Sequence, residues 1–209
     1  RTIWNDIVPK RIDNQIVSGG GSRTIWNDIV PKPQERSLHD MLGRTQNRDP
    51  RDAAIAALAL RYGVDAEHAA RVETMAQALF DQVEVDWELD GDDRLMLGWA
   101  ARLHELGLAI SHSQHQKHAA YVIANSDIDG FSRQEQTLLA ALVRSQRRGL
   151  SRSLLAGLSG RAAQAALRSA VLLRLAILLC RSHAAELPQP KIRAREAKIG
   201  IALPRAWLD

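Results

Sequence analysis

The chain reads as mainly α-helical, a bundle of helices with a small β-hairpin near its C-terminal end. Three observations lead there. Alanine and leucine abound while aromatic residues make up only 4% of the 209, and Ala and Leu are strong helix formers whereas aromatics favour strands. Apolar residues recur at three- and four-residue spacing from Asp49 to about His183, with a capping residue or a glycine at the breaks. Only after Pro190 does the period change to two. A chain of this length can bury a core of its own.

Residues 1–32 stand apart from that pattern. Arg1 to Lys10 (RTIWNDIVPK) recurs without change as Arg23 to Lys32, and Ser18-Gly19-Gly20-Gly21-Ser22 between the copies has the composition of a flexible linker. Natural repeats diverge, so an unchanged decapeptide points to an engineered duplicated peptide. Ile3, Trp4, Ile7 and Val8, with their counterparts Ile25, Trp26, Ile29 and Val30, would form one face of a short helix ended by Pro9 or Pro31. Such a helix, tethered, could dock in a groove as a ligand or serve as a tag. Residues 33–48 form a connector, and residues 49–209 the helical domain.

The helices follow in order. Asp49 caps and Pro50 opens the first, with Ala53, Ala54, Ala57, Leu58 and Leu60 on its apolar side up to Gly63. Asp65 caps the second, whose buried face is expected to be Ala69, Val72, Ala76, Leu79 and Val83. The acidic stretch Glu84 to Asp93 reads as a loop, and Asp92 or Asp93 as the start of a third helix through Leu95, Trp99, Leu103 and Leu106 to Gly107. Gly98 inside it costs about 1 kcal/mol against Ala and suggests a close helix crossing. A histidine-rich segment and an Ala-rich helix lead to a turn at Asp127 to Gly130. There Ser132-Arg133-Gln134-Glu135 spells a capping box for a helix through Leu138, Leu139, Leu142 and Val143. The basic loop Arg144 to Arg152 precedes a long helix, about Arg161 to His183, with Ala166, Leu167, Val171, Leu175 and Leu178 facing the core. Ile192/Ala194 and Ile199/Ile201/Leu203, around Glu196-Ala197, make the hairpin.

Composition narrows the function. The most apolar window, Val171 to Cys180, is about half a membrane span and is bounded or interrupted by Arg168, Arg174 and Arg181, so it reads as a buried core helix. No secretory signal is expected, and a lone cysteine, Cys180, fits a reducing cytoplasm and a structural thiol. The net charge of +4 is unevenly spread: residues 133–209 hold 14 Lys and Arg against 4 Asp and Glu, and residues 1–132 hold 14 against 20. The C-terminal part should therefore be the side that meets anions, unless its arginines serve only solubility.

The densest polar chemistry lies in Leu103 to Phe131, LHELGLAISHSQHQKHAAYVIANSDIDGF. This segment, with Asn125-Ser126-Asp127 and Gly130-Phe131, closely resembles the signature of the C-terminal helical domain of the exopolyphosphatase and guanosine pentaphosphate phosphatase family. That domain is a degenerate relative of the HD metal-dependent phosphohydrolases. The connector's Glu35, Leu38 and Asp40 to Arg44 are similar to the family segment that joins its catalytic and helical halves, with the start of that segment altered. The resemblance implies an HD-like helical bundle in which catalysis belongs to N-terminal domains that this chain lacks. For the parent enzyme it implies Mg2+ and a homodimer.

In the HD relatives, two histidines, a His-Asp doublet and a late Asp hold one or two metals that activate water. His68-Ala69-Ala70-Arg71-Val72 resembles the segment of the first histidine, and His104-Glu105 stands at the doublet with Glu for Asp. Leu173-Arg174-Leu175-Ala176-Ile177 matches the last segment, with Ile177 where the carboxylate belongs. An isoleucine offers no oxygen, so His68, His104 and Glu105 form a degenerate set. No metal, no cofactor and no catalytic residue are expected here, and a surviving metal-dependent hydrolase is the alternative.

His112, His115 and His118, at three-residue spacing, admit three readings: a structural polar network, a phosphate-facing cluster, or a metal set. Lys117 beside them favours an anion over a cation. Arg144, Arg147, Arg148 and Arg152 add guanidinium groups, which pair bidentately with phosphate oxygens and stay charged at any working pH. Inorganic polyphosphate fits such a surface. Specific nucleic-acid binding is not expected, because this half has almost no aromatics beyond Phe131 and Trp207. The leading expectation is a polyphosphate-binding and dimerisation domain, with a protein-interaction domain carrying its own peptide ligand as a further alternative.

Overall fold

A computed structural model describes residues 49–147, 158, 160–181, 190–195 and 198–203. The fold is the expected one, a mostly helical bundle with a two-stranded antiparallel hairpin. The duplicated decapeptide, the connector, Arg148 and Arg152 lie outside the described residues.

Helix α1 (Pro50–Arg61) begins as expected: the Asp49 carboxylate accepts the Arg51 N–H and Pro50 takes a first-turn position where no donor is needed. Its buried seam is Ile55 and Leu58, not the alanine-rich side, and Leu60 points outward at 83% exposure. Alanines lie on every side of this helix and so cannot mark its buried face. Helix α2 (Ala66–Asp81) is capped by Asp65 and buries Ala69, Val72, Ala76 and Leu79, with Val83 buried just beyond it.

Helix α3 (Gly91–Arg102) starts earlier than expected. Asp90 is the cap, accepting the N–H groups of Asp92 and Asp93, and the Asp93 carboxylate accepts the Asp90 N–H in return. The helix also stops earlier, so Leu103 and Leu106 are buried from a turn and a 3-10 segment, Leu106–Ala109. Gly107 explains the break: a Cβ there would lie 1.9 Å from the His115 carbonyl oxygen and 2.7 Å from the Ala119 nitrogen. The backbone around Gly107 is thus pressed against the first turns of α4 (His115–Asn125). Gly98 does sit at a crossing, but its Cβ would meet only the ends of the Gln77 and Glu73 side chains on α2.

Gly130, at φ +81°, makes the turn into α5 (Arg133–Arg144), whose capping box forms in full between Ser132 and Glu135. From α5 the buried Gln136 amide donates to the carbonyls of Ile123 and Ser126, tying down the end of α4. The long helix α6 (Gly160–Leu179) packs against α2, α3 and α5. It ends short of His183, and Leu178 is half exposed while Leu167 is half-buried. By length and composition α6 could cross a membrane, yet in this fold it is a core helix, burying Val171, Leu172, Leu173 and Leu175. Cys180 follows it, fully buried, and burial pushes its thiol up to about 11.

Strands β1 (Lys191–Arg195) and β2 (Lys198–Ala202) pair in regular register, Lys191 opposite Ala202 and Arg195 opposite Lys198. Gln82, at the end of α2, fastens the hairpin by accepting the Ile192 N–H at 2.9 Å and donating to the Pro190 carbonyl at 3.2 Å. Arg51 ties α1 to α5, pairing with Asp49 and with Glu135 at 2.5 Å while its guanidinium lies over Trp99 and Phe131. Arg161 does the same for α6, holding Asp90 and Asp93 at 2.8 Å each.

A histidine and arginine site at the junction of α2, α3 and α4

The fold gathers residues that are far apart in sequence. His68 projects from the first turns of α2, and His104 and Glu105 follow the end of α3. The Glu105 carboxylate lies 3.8 Å from His68 Nε2 and 3.9 Å from His104 Nε2, and the two rings are tilted with centroids 5.4 Å apart. Both histidines are buried and Glu105 is about a quarter exposed.

Hydrogen bonding fixes the ring protons. The Ala101 carbonyl can only accept, so His104 Nδ1 carries the proton and donates to it at 2.7 Å. His104 Nε2 is then a bare lone pair, buried and without a hydrogen-bond partner among the described residues. Burial pushes the pKa of this imidazole below 6.5, against the opposing pull of its backbone bond and of Glu105. Arg71 can only donate, so His68 Nδ1 accepts from it at 3.4 Å and the proton of that ring sits on Nε2, facing Glu105.

This geometry tests the degenerate metal set. The three donor atoms lie within 4.8 Å of one another, near enough for one ion after small adjustments. A metal needs a lone pair from each ligand. His104 and Glu105 offer one, whereas His68 turns a proton toward the center and Arg71 holds it in that tautomer. Ile177, on α6, adds no oxygen. The set does not fit the two-oxygen metal site that the HD relatives imply.

The histidine cluster is only partly a helix face. His112 lies ahead of α4 and is exposed, His115 and His118 are half-buried on α4, and Lys117 is exposed. His115 Nδ1 reaches the His112 carbonyl at 3.4 Å. Burial, then the backbone bond, then the positive charge of Arg147 act on His115, with the net result that its pKa falls below 6.5. Glu105 pulls the other way, and His112 adds a small push. Arg147 is exposed just after α5, which packs against α4, and its charge and that of Glu105 act in opposite directions on the His115 imidazole. Arg144 is half-buried at the end of α5. Gln146 completes the link by donating to the His104 carbonyl at 2.6 Å. Neither Gln146 nor the tautomer-setting role of Arg71 has a local sequence signal; only the fold brings them to the histidines.

Comparison with known proteins agrees with this architecture. Residues 51–209 match the family model described as Ppx/GppA phosphatase, domain III. The chain is 34% identical over 200 residues to the guanosine-5'-triphosphate,3'-diphosphate pyrophosphatase of Aeromonas hydrophila, covering 95% of this chain and 38% of that protein. Its namesakes in Aeromonas salmonicida and Photobacterium profundum are 32% and 31% identical, over 38% and 37% of their lengths. The chain thus spans just over a third of these curated relatives, and a match over 200 of 209 residues runs into the duplicated N-terminal stretch. With domain III matched over most of its length, the chain belongs to the Ppx/GppA phosphatase family.

Proposed function

We propose that this domain holds the phosphate chain of inorganic polyphosphate and helps pair two copies of a cytoplasmic, Mg2+-dependent Ppx/GppA-type phosphohydrolase, whose bond-breaking chemistry lies outside domain III. One observation carries the reading: α5, which leads into Arg147, packs on α4, which holds His115 and His118, so cationic groups far apart in sequence sit on neighbouring elements, beside the N–H edge of His68, which disfavours a cation. In this role His112, His115, His118 and Lys117 meet the phosphate from the α4 side, and Arg144 and Arg147 from the end of α5, with Arg148 and Arg152, next in sequence, as further ligands. The names of the relatives favour a second ligand, guanosine pentaphosphate, which presents the same phosphate chemistry on a nucleoside.

Anisotropy titration with labelled long-chain polyphosphate, with the guanosine nucleotide as competitor, tests the reading. Affinity should fall steeply with salt, and Arg147→Ala should weaken it and flatten the log–log salt slope by about 0.7 for the lost phosphate contact. Because an anion favours a charged ring, binding should also tighten as pH falls below about 6.5, and His115→Gln should remove that gain. An Arg147→Ala chain that binds as tightly as the parent would overturn the assignment. A stoichiometric transition metal lost in His104→Ala would instead revive a metal-dependent hydrolase.

A further inference from the structure

The hairpin carries a second polar surface. Because side chains alternate along a strand, Lys191, Arg193 and Arg195 of β1 share one face with Lys198, Gly200 and Ala202 of β2, and all six are exposed. The opposite face buries Ile192, Ala194 and Ile199 in the core. Among the described residues the four cations have no ion-pair or hydrogen-bond partner. Arg195 and Lys198 stand directly opposite each other, a like-charge pair that opposes strand pairing.

Gly200 is the second oddity. A glycine inside a strand marks a bulge, a bend, or a place where something else comes close. The register runs through Gly200 without a bulge, and its φ is not in the left-handed region. A Cβ there would have only the Arg193 carbonyl oxygen within 4 Å, at 3.9 Å. Nothing within the described fold asks for glycine at this position. What remains is an approach from outside, onto a smooth floor of Gly200 and Ala202 walled by cations.

We infer that the outer face of the hairpin is a separate binding track for an extended phosphate chain, laid along Gly200 and Ala202 and gripped by Lys191, Arg193, Arg195 and Lys198. Successive cations on β1 are about 6.8 Å apart, which suits a ligand with regularly repeated charge. The face has no aromatic residue on which a base could stack, so inorganic polyphosphate is favoured over single-stranded RNA. Gln82 anchors the hairpin 14 residues along from His68, roughly 21 Å at 1.5 Å per residue. A long chain able to reach both places would gain by multivalency, whereas tripolyphosphate would not.

The choice of ligand rests on the polyphosphate reading above, but the site does not rest on Arg147. The test is anisotropy titration of the full chain with labelled long-chain polyphosphate, competed by tripolyphosphate or by an RNA oligonucleotide. Variants are Arg193→Glu with Lys198→Glu, Gly200→Val and Arg147→Ala, each checked for an unchanged helical spectrum. The charge-reversed pair should bind long chains roughly tenfold more weakly and flatten the salt slope by about 1.4 or more. Gly200→Val keeps every charge and suits a strand, yet it should weaken long-chain binding and leave tripolyphosphate unaffected. If Arg147→Ala weakens binding while both hairpin variants match the parent, the hairpin track is wrong and the first site stands. The reverse result keeps the track and removes the first site. No loss in any variant removes both, and RNA outcompeting polyphosphate on the hairpin overturns the ligand.

Discussion

His104 shows how one side chain can carry a pH response. Burial keeps its imidazole neutral in the fold, with a pKa below the ordinary 6.5. As pH falls through 6.5 the unfolded chain takes up the proton first. The unfolded state then binds more protons than the native one, and stability declines with pH until the folded pKa is passed. His115 is shifted in the same direction. Thermal melts between about pH 7 and about pH 5 should show the loss, and His104→Leu should shrink it. Leu cannot replace the 2.7 Å bond to the Ala101 carbonyl, so at neutral pH the same variant should be less stable by about 1–3 kcal/mol. At this scale the sequence was informative about residue types and silent about protons. The doublet His104-Glu105 and the early His68 are visible in a row of letters, but the tautomers follow from Ala101 and Arg71, which only the turn after α3 and the winding of α2 bring into place.

Among the elements, two glycines inside the α3 to α4 region make a contrast that the sequence does not contain. Gly107→Ala would drive a methyl into backbone atoms of α4 that cannot yield, and urea unfolding should show a loss of about 3 kcal/mol or more. Gly98→Ala would meet only the mobile ends of Gln77 and Glu73 and gains helix propensity, so it should stay within about 1 kcal/mol of the parent. The two residues look alike in sequence. Helix existence was legible throughout, because caps such as Asp49, Asp65 and Ser132 and the seam of α2 are local signals. The start of α3 was not, since Asp90, Asp92 and Asp93 are equally good caps by type and only the reciprocal Asp90–Asp93 bonds select one. His112 likewise has the spacing of a helix residue, yet α4 begins at His115, where Gln114 adopts a left-handed φ of +55°.

Across the whole molecule the sequence anticipated the fold class and the uneven charge, and it anticipated α6 as the apolar center of the bundle. It did not reveal that α5, which leads into Arg147, lies against the histidine-bearing α4. The arrangement around α6 has a measurable result. A chain ending at Arg144 keeps α1 to α5 but loses the helix that packs against α2, α3 and α5. It should retain helical circular dichroism, bind a hydrophobic dye and melt without a cooperative transition, whereas the full chain should unfold in one step. The same order matters while the protein is being made. Five of the described helices leave the ribosome before α6, and the sides of α2, α3 and α5 that it will cover stay open meanwhile, for seconds at about 5–20 residues per second. Translation must pass Leu179 before the bundle can close, so the nascent chain is a natural client for chaperones during that interval.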